Sequence, residues 1–189
     1  MWNIVLTLLL ATAFTARAEQ PPANLLLVRI SENWTTLHAT LGPNNFSNCI
    51  TVRPDGRIDL ELLRQEFFDG RAVLTTYESA LDSKEIENLK SILNDADVKA
   101  LQPFTSPVLP MDVDDWQAFQ ADVTRGTQVQ QVGYLTWHGH GPNNSEGDKT
   151  AWKQSEKALQ RLAEWSHTAK SSKALNWRRI QNPHSFCGR

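Results

Sequence analysis

The chain has 189 residues, 40% of them hydrophobic and 21% charged, with a formal net charge of -2. That length and apolar share suit one globular domain, and the charge balance excludes long acidic or basic tails and the basic surface that nucleic acid demands. With nine glycines and nine prolines spread through the sequence, collagen-like and linker-like classes fall away as well.

Residues Ile4 to Phe14 form an apolar run broken only by threonines. Ala16-Arg17-Ala18 follows with the small-x-small spacing of a signal peptidase site, then polar Glu19-Gln20 and Pro21-Pro22. The run is too short to span about 30 Å of hydrocarbon at about 1.5 Å per residue. No Lys or Arg precedes it, so the amino terminus alone supplies the leading positive charge. Residues 1–18 are therefore expected to be a signal peptide. Residues 19–189 are expected to form a single domain with an irregular C-terminal tail, secreted or periplasmic and free of the membrane after cleavage. In an oxidising compartment two lone cysteines usually pair, so Cys49 and Cys187 are expected to form a disulfide. No C-x-x-C redox motif occurs.

Leu25 to Ile30 is a first apolar run and Asn48 to Arg53 a second, both predicted strands. Arg53-Pro54-Asp55-Gly56 is the sharpest local signal, with proline presetting the first turn residue and glycine free to take the left-handed one. It predicts a hairpin with a bulge. Ile58, Leu60 and Leu62 alternate with Asp59 and Glu61, a strand with one buried and one wet face. The alternation then slips to Leu63, Gln65 and Phe67, which predicts a bulge. Asp69-Gly70 is the next expected turn, and Ala72 to Glu78 the returning strand.

Asp82 with Glu85 three residues on reads as a capping box, and Ile86, Leu89, Ile92 and Leu93 give the helical stripe behind it. Asn94-Asp95 should end that helix, and Asp97 to Leu101 a short further turn. Pro103, Pro107 and Pro110 mark an irregular stretch. Phe119, Ala121 and Val123 alternate with polar residues, Arg125-Gly126 turns, and Gln128 to Trp137 is the partner strand. After a loop over Gly139–Gly147, Asp148 or Thr150 can cap a long helix reaching about Ala169. Hairpins interrupted by helices predict an α+β domain: an antiparallel sheet of about five or six strands with two helices packed on one face.

The sequence lacks G-x-S-x-G, both glycine-rich phosphate motifs and H-E-x-x-H, so no cofactor is expected. His138 and His140 would share one face of a continuing strand, a spacing able to chelate zinc or copper if a third ligand came from His38, His167, His184 or a carboxylate. Asp112 to Asp115 lacks the glycine and distal glutamate of a calcium loop. Asp59, Glu61, Glu66, Asp69 and Glu78 read as the wet face of the meander rather than as paired catalytic carboxylates.

Of the seven tryptophans, all but Trp2 lie beyond Ala18. Trp152 and Trp165 fall on the apolar side of the long helix, whereas Trp116 and Trp177 stand in polar, irregular contexts suited to exposure. Three glycosylation triplets begin at Asn33, Asn45 and Asn143. The expectation is a non-catalytic domain that binds a protein or small ligand through a surface around Trp116 and Phe119. The alternative is a hydrolase with a non-local site, metal-assisted around His138 and His140.

Overall fold

The turn signals at Arg53–Gly56 and Arg125–Gly126 and the cap at Asp82 recur in the three-dimensional structure. The structure, a computed structural model, describes residues 26–38, 42–65, 72–105, 113–139, 146–180 and 187. The expected leader, Glu66, the Asp69–Gly70 turn, Pro107, Pro110, His140, His184 and the triplet at Asn143 lie outside the described residues. In the Arg53–Gly56 turn, the Gly56 N–H donates to the Arg53 carbonyl at 2.9 Å, with Gly56 at φ 87°. A side chain there would also strike Ile86, 2.7 Å from an ideal Cβ. Asp55 accepts from the Arg57 N–H, which holds its carboxyl below the usual aspartate range.

Among the described residues, seven strands form one antiparallel sheet: β1 (Val28–His38), β2 (Gly42–Val52), β3 (Arg57–Gln65), β4 (Ala72–Ala80), β5 (Val113–Arg125), β6 (Gln128–Gly139) and β7 (Arg178–Arg179). Their spatial order is β6-β5-β1-β2-β3-β4-β7. The helices are α1 (Ser83–Leu93), α2 (Ala96–Lys99) and α3 (Glu146–Ser171), followed by a 3₁₀ turn at Lys173–Leu175. The α+β expectation holds, with seven strands rather than five or six and a short third helix. The seventh strand comes from the tail read as irregular: two arginines pair with Tyr77 and Glu78, and Arg178 donates to the Glu78 carboxylate.

Three details of the sequence reading need correction. β1 runs on to His38 because a strand flanked on both sides satisfies its backbone whatever its side chains, so Ser31, Asn33 and Thr35 do not end it. β3 has no bulge; its register with β2 and β4 is continuous through Gln65. α3 begins at Glu146, so Asp148 and Thr150 lie inside its first turns.

Antiparallel register places Val28, Ile30, Glu32 and Trp34 on the same face as Ile50 and Asn48, Leu60 and Leu62, and Phe119 and Ala121. The helices cover much of this face. Leu89, Ile92 and Leu93 of α1, Val98 of α2 and Leu159 and Leu162 of α3 close a buried core with it. The capping box is formed: the Glu85 N–H donates to Asp82 at 2.8 Å, and the Asp82 N–H to the Glu85 carboxylate at 3.1 Å.

At Asp59 and Glu61 the opposite face is covered, contrary to the alternation in β3, while Glu78 and Gln65 on the same face stay open. Asp59 and Glu61 are 5% and 4% exposed. Asp59 accepts from Arg53 at 2.6 Å and from Thr51 at 3.3 Å, so its charge is answered in place. Glu61 pairs in register with Cys49, whose disulfide to Cys187, 138 residues later, draws the C-terminal chain to this face. Farther along, Phe104 lies over Gly133, where a Cβ would come within 2.9 Å of its ring.

Candidate functional site

β1 carries a carboxylate among hydrophobes on its helix-facing side: Val28, Ile30, Glu32, Trp34. Burying Glu32 unpaired would cost several kcal/mol, about 3–5 for a broken ion pair. Two residues one turn apart on α3 answer it. The Ser166 hydroxyl donates to Glu32 Oε1 at 3.1 Å, and Lys170 Nζ donates to Oε2. The Glu32 and Lys170 side chains are 11% and 12% exposed.

Beyond this ion pair the C-terminal half of α3 leaves the sheet uncovered, and a cavity of about 650 Å³ opens there. Its walls are Trp34, Asn48, Leu60 and Leu62 from β1–β3, Asp115, Trp116, Gln117 and Thr136 from β5 and β6, and His167, Lys170 and Ser171 from α3. The volume is within the range of about 300–1,000 Å³ common for small-ligand clefts. Trp34 stacks on Phe46 across the ladder, centroids 5.3 Å apart and planes 14° from parallel. The Arg64 guanidinium carbon lies 5.6 Å from the centroid of the Phe46 ring, continuing the row. On the other face a second hollow of about 220 Å³ is lined by Asn33, Asn45, Ser47, Leu63 and Gln65. It shares Trp34, Thr35 and Trp116 with the first. The β5–β6 register shifts between Val113 and Asp115, immediately before Trp116. Such bulges re-aim side chains at the ends of sheets.

The expected site residues therefore separate. Trp116 is partly exposed, pairs with Thr35 on the face opposite Trp34, and borders both hollows. Phe119, expected beside it on the surface, is 1% exposed and stacks on Tyr134 in the core, because it shares the helix-covered face with Ala121 and Val123. Trp177, also expected in the open, packs partly buried against the core, and its indole N–H donates to the Ala169 carbonyl at the end of α3. Trp137 and Trp152 meet edge to face at 4.2 Å. His138 pairs with Asp115 in the ladder. Among the described residues, no group of three His, Cys, Asp or Glu side chains converges as a metal centre requires.

Glu32, Ser166 and Lys170 were not read as a site from the sequence. A lone acid in an alternating apolar strand is the one signal that could have found Glu32. Ser166 is 1% exposed and its proton is engaged by Glu32, so it is not presented to a substrate as a nucleophile would be. Burial also pushes the Tyr134 hydroxyl up to about 12, with the Glu156 and Glu32 carboxylates adding to the effect. Comparison of the chain with protein-family models and with curated proteins finds no match to either.

Proposed function

We propose that this is an exported, non-catalytic domain, secreted or periplasmic, that binds its ligand in the cleft between the sheet and the C-terminal half of α3. The observation that carries the reading is how the cleft distributes its groups. The ion pair of Glu32 and Lys170 lines the cleft but is self-satisfied, while Trp34, Trp116 and Gln117 are left accessible. An accessible indole offers a large, rigid contact at low entropic cost, as binding hot spots do. The leader-like segment and the disulfide support export.

Two measurements test this. Titration of a small-fragment library against isotope-labelled protein should shift the indole N–H signals of Trp34 and Trp116 and the amide of Gln117. Fragments that perturb only other surfaces would remove the cleft from consideration. Intact-mass analysis of an exported fraction should show a chain beginning at Glu19, and retention of Met1 to Ala18 there would count against export.

A further inference from the structure

Resting on that reading of the cleft, we infer that its ligand is an organic ammonium ion with an apolar body, its charged nitrogen held between the Trp34 indole and the Asp115 carboxylate. The register puts both groups on one face of the sheet. Trp34 pairs with Phe46 on one side and with Gln117 on the other, and Asp115 stands two positions from Gln117 on β5. Such diagonal neighbours lie about 7–8 Å apart, a gap that one ammonium group between them can bridge. Both line the cleft and both are partly exposed.

The ring stack leaves one face of the indole for the ligand. Phe46 covers the other, with centroids 5.3 Å apart and planes 14° from parallel. Phe46 rises from β2, so the open face of Trp34 looks toward β5, where Gln117 and Asp115 stand. The face of an aromatic ring is the negative end of its quadrupole and attracts a cation within about 6 Å. The same row already holds one contact of this kind: Arg64, which pairs with Phe46, has its guanidinium carbon 5.6 Å from that ring's centroid.

Charge sets the sign of the ligand. Glu32 and Lys170 answer each other and are almost enclosed. The Asp115 carboxylate has neither a hydrogen bond nor an ion pair among the described residues. A protonated amine would supply it with a charge-assisted hydrogen bond. His167 also lines the cleft, from an exposed position on α3. An anion would therefore meet two carboxylates and, with Lys170 engaged, a single imidazole. Leu60 and Leu62 form the floor beside Asn48, which suits an apolar body behind the charged head.

The test uses the chain from Glu19 onward and three probes that share one phenyl body: cationic 2-phenylethylammonium, neutral 2-phenylethanol and anionic 3-phenylpropanoate. The ammonium probe should bind saturably, shift the Trp34 indole N–H and the Gln117 amide, and show a Kd about tenfold or more below that of the alcohol. Asp115→Asn keeps the shape of the side chain and touches no core residue. It should remove most of that preference while leaving the alcohol's Kd unchanged. Trp34→Leu should weaken ammonium binding by about tenfold, and Trp34→Phe, which keeps an aromatic face, should retain most of it. Equal affinity for the three probes, tighter binding of the propanoate, or an ammonium preference that survives in Asp115→Asn overturns the inference. If library fragments shift the cleft signals and the ammonium probe does not, the ammonium ion fails while the binding reading stands. If neither shifts them, both fail.

Discussion

Ser166 and Lys170 both donate to Glu32, which precedes them by 134 and 138 residues, so one carboxylate ties the third helix to the centre of the sheet. Removing one partner strands the other. Lys170→Met should lower stability by about 3–5 kcal/mol in urea denaturation, because the buried Glu32 loses its cation and has only a hydroxyl for a partner. The double variant Glu32→Leu/Lys170→Met should regain most of that loss. A double variant as unstable as the sum of the singles would show that the two residues do not act as a pair.

The Cys49–Cys187 disulfide closes a loop spanning 138 positions. A loop of that length lowers the entropy of the unfolded chain by the equivalent of about 5 kcal/mol at most, and about 2–5 kcal/mol is the common cost of losing such a bond. Cys49→Ala/Cys187→Ala should shift the denaturation midpoint down by a corresponding amount. Peptide mapping without reductant should recover Cys49 and Cys187 in one linked species.

Phe119 and Trp116 are three residues apart and should respond oppositely. Phe119→Ala empties a fully buried ring site and should cost about 3–5 kcal/mol. Trp116→Ala removes a partly exposed residue, so its stability loss should be well below that while ligand capture weakens. A Trp116→Ala loss as large as that of Phe119→Ala would place the indole in the core.

How much of this was legible depended on distance along the chain. The Arg53–Gly56 turn, the Asp82–Glu85 capping box and the Arg125–Gly126 turn are each settled by residues within four positions, and each was readable. The burial of Asp59 and Glu61 was not. Alternation tells which side chains share a face but not whether another segment covers it, and here Cys187 and Arg53 decide the outcome. Phe119 was misplaced for the same reason: its period-2 pattern is sound, but α3 comes from more than twenty-five residues later to cover it. The cleft draws on β1, β2, β3, β5, β6 and α3, so no local motif encodes it.

Tyr134 supplies a pH signature. Its hydroxyl ionises at about 12 in the folded protein against about 10 in an unfolded chain. The folded state therefore holds the proton longer. The associated stability is fully present below about pH 10 and is lost as pH rises toward about 12. With the ring partly exposed, the loss should be on the order of 1–2 kcal/mol. Phenolate absorbance should show a late step near pH 12 that disappears in Tyr134→Phe.

β1 gains β2 at once, but its other neighbour, β5, begins only at Val113. A chain growing from its amino end can thus complete the β1–β4 meander while the N–H and C=O groups of Val28 to Thr36 on one side are still without partners. Val28 and Ile30, both fully buried in the finished molecule, begin on a bare edge. Such an edge pairs readily with another copy of itself. The order of assembly therefore sets the hazard: a chain that halts before Val113 is primed for self-association, and the arrival of β5 converts the stickiest edge of the intermediate into the middle of the sheet.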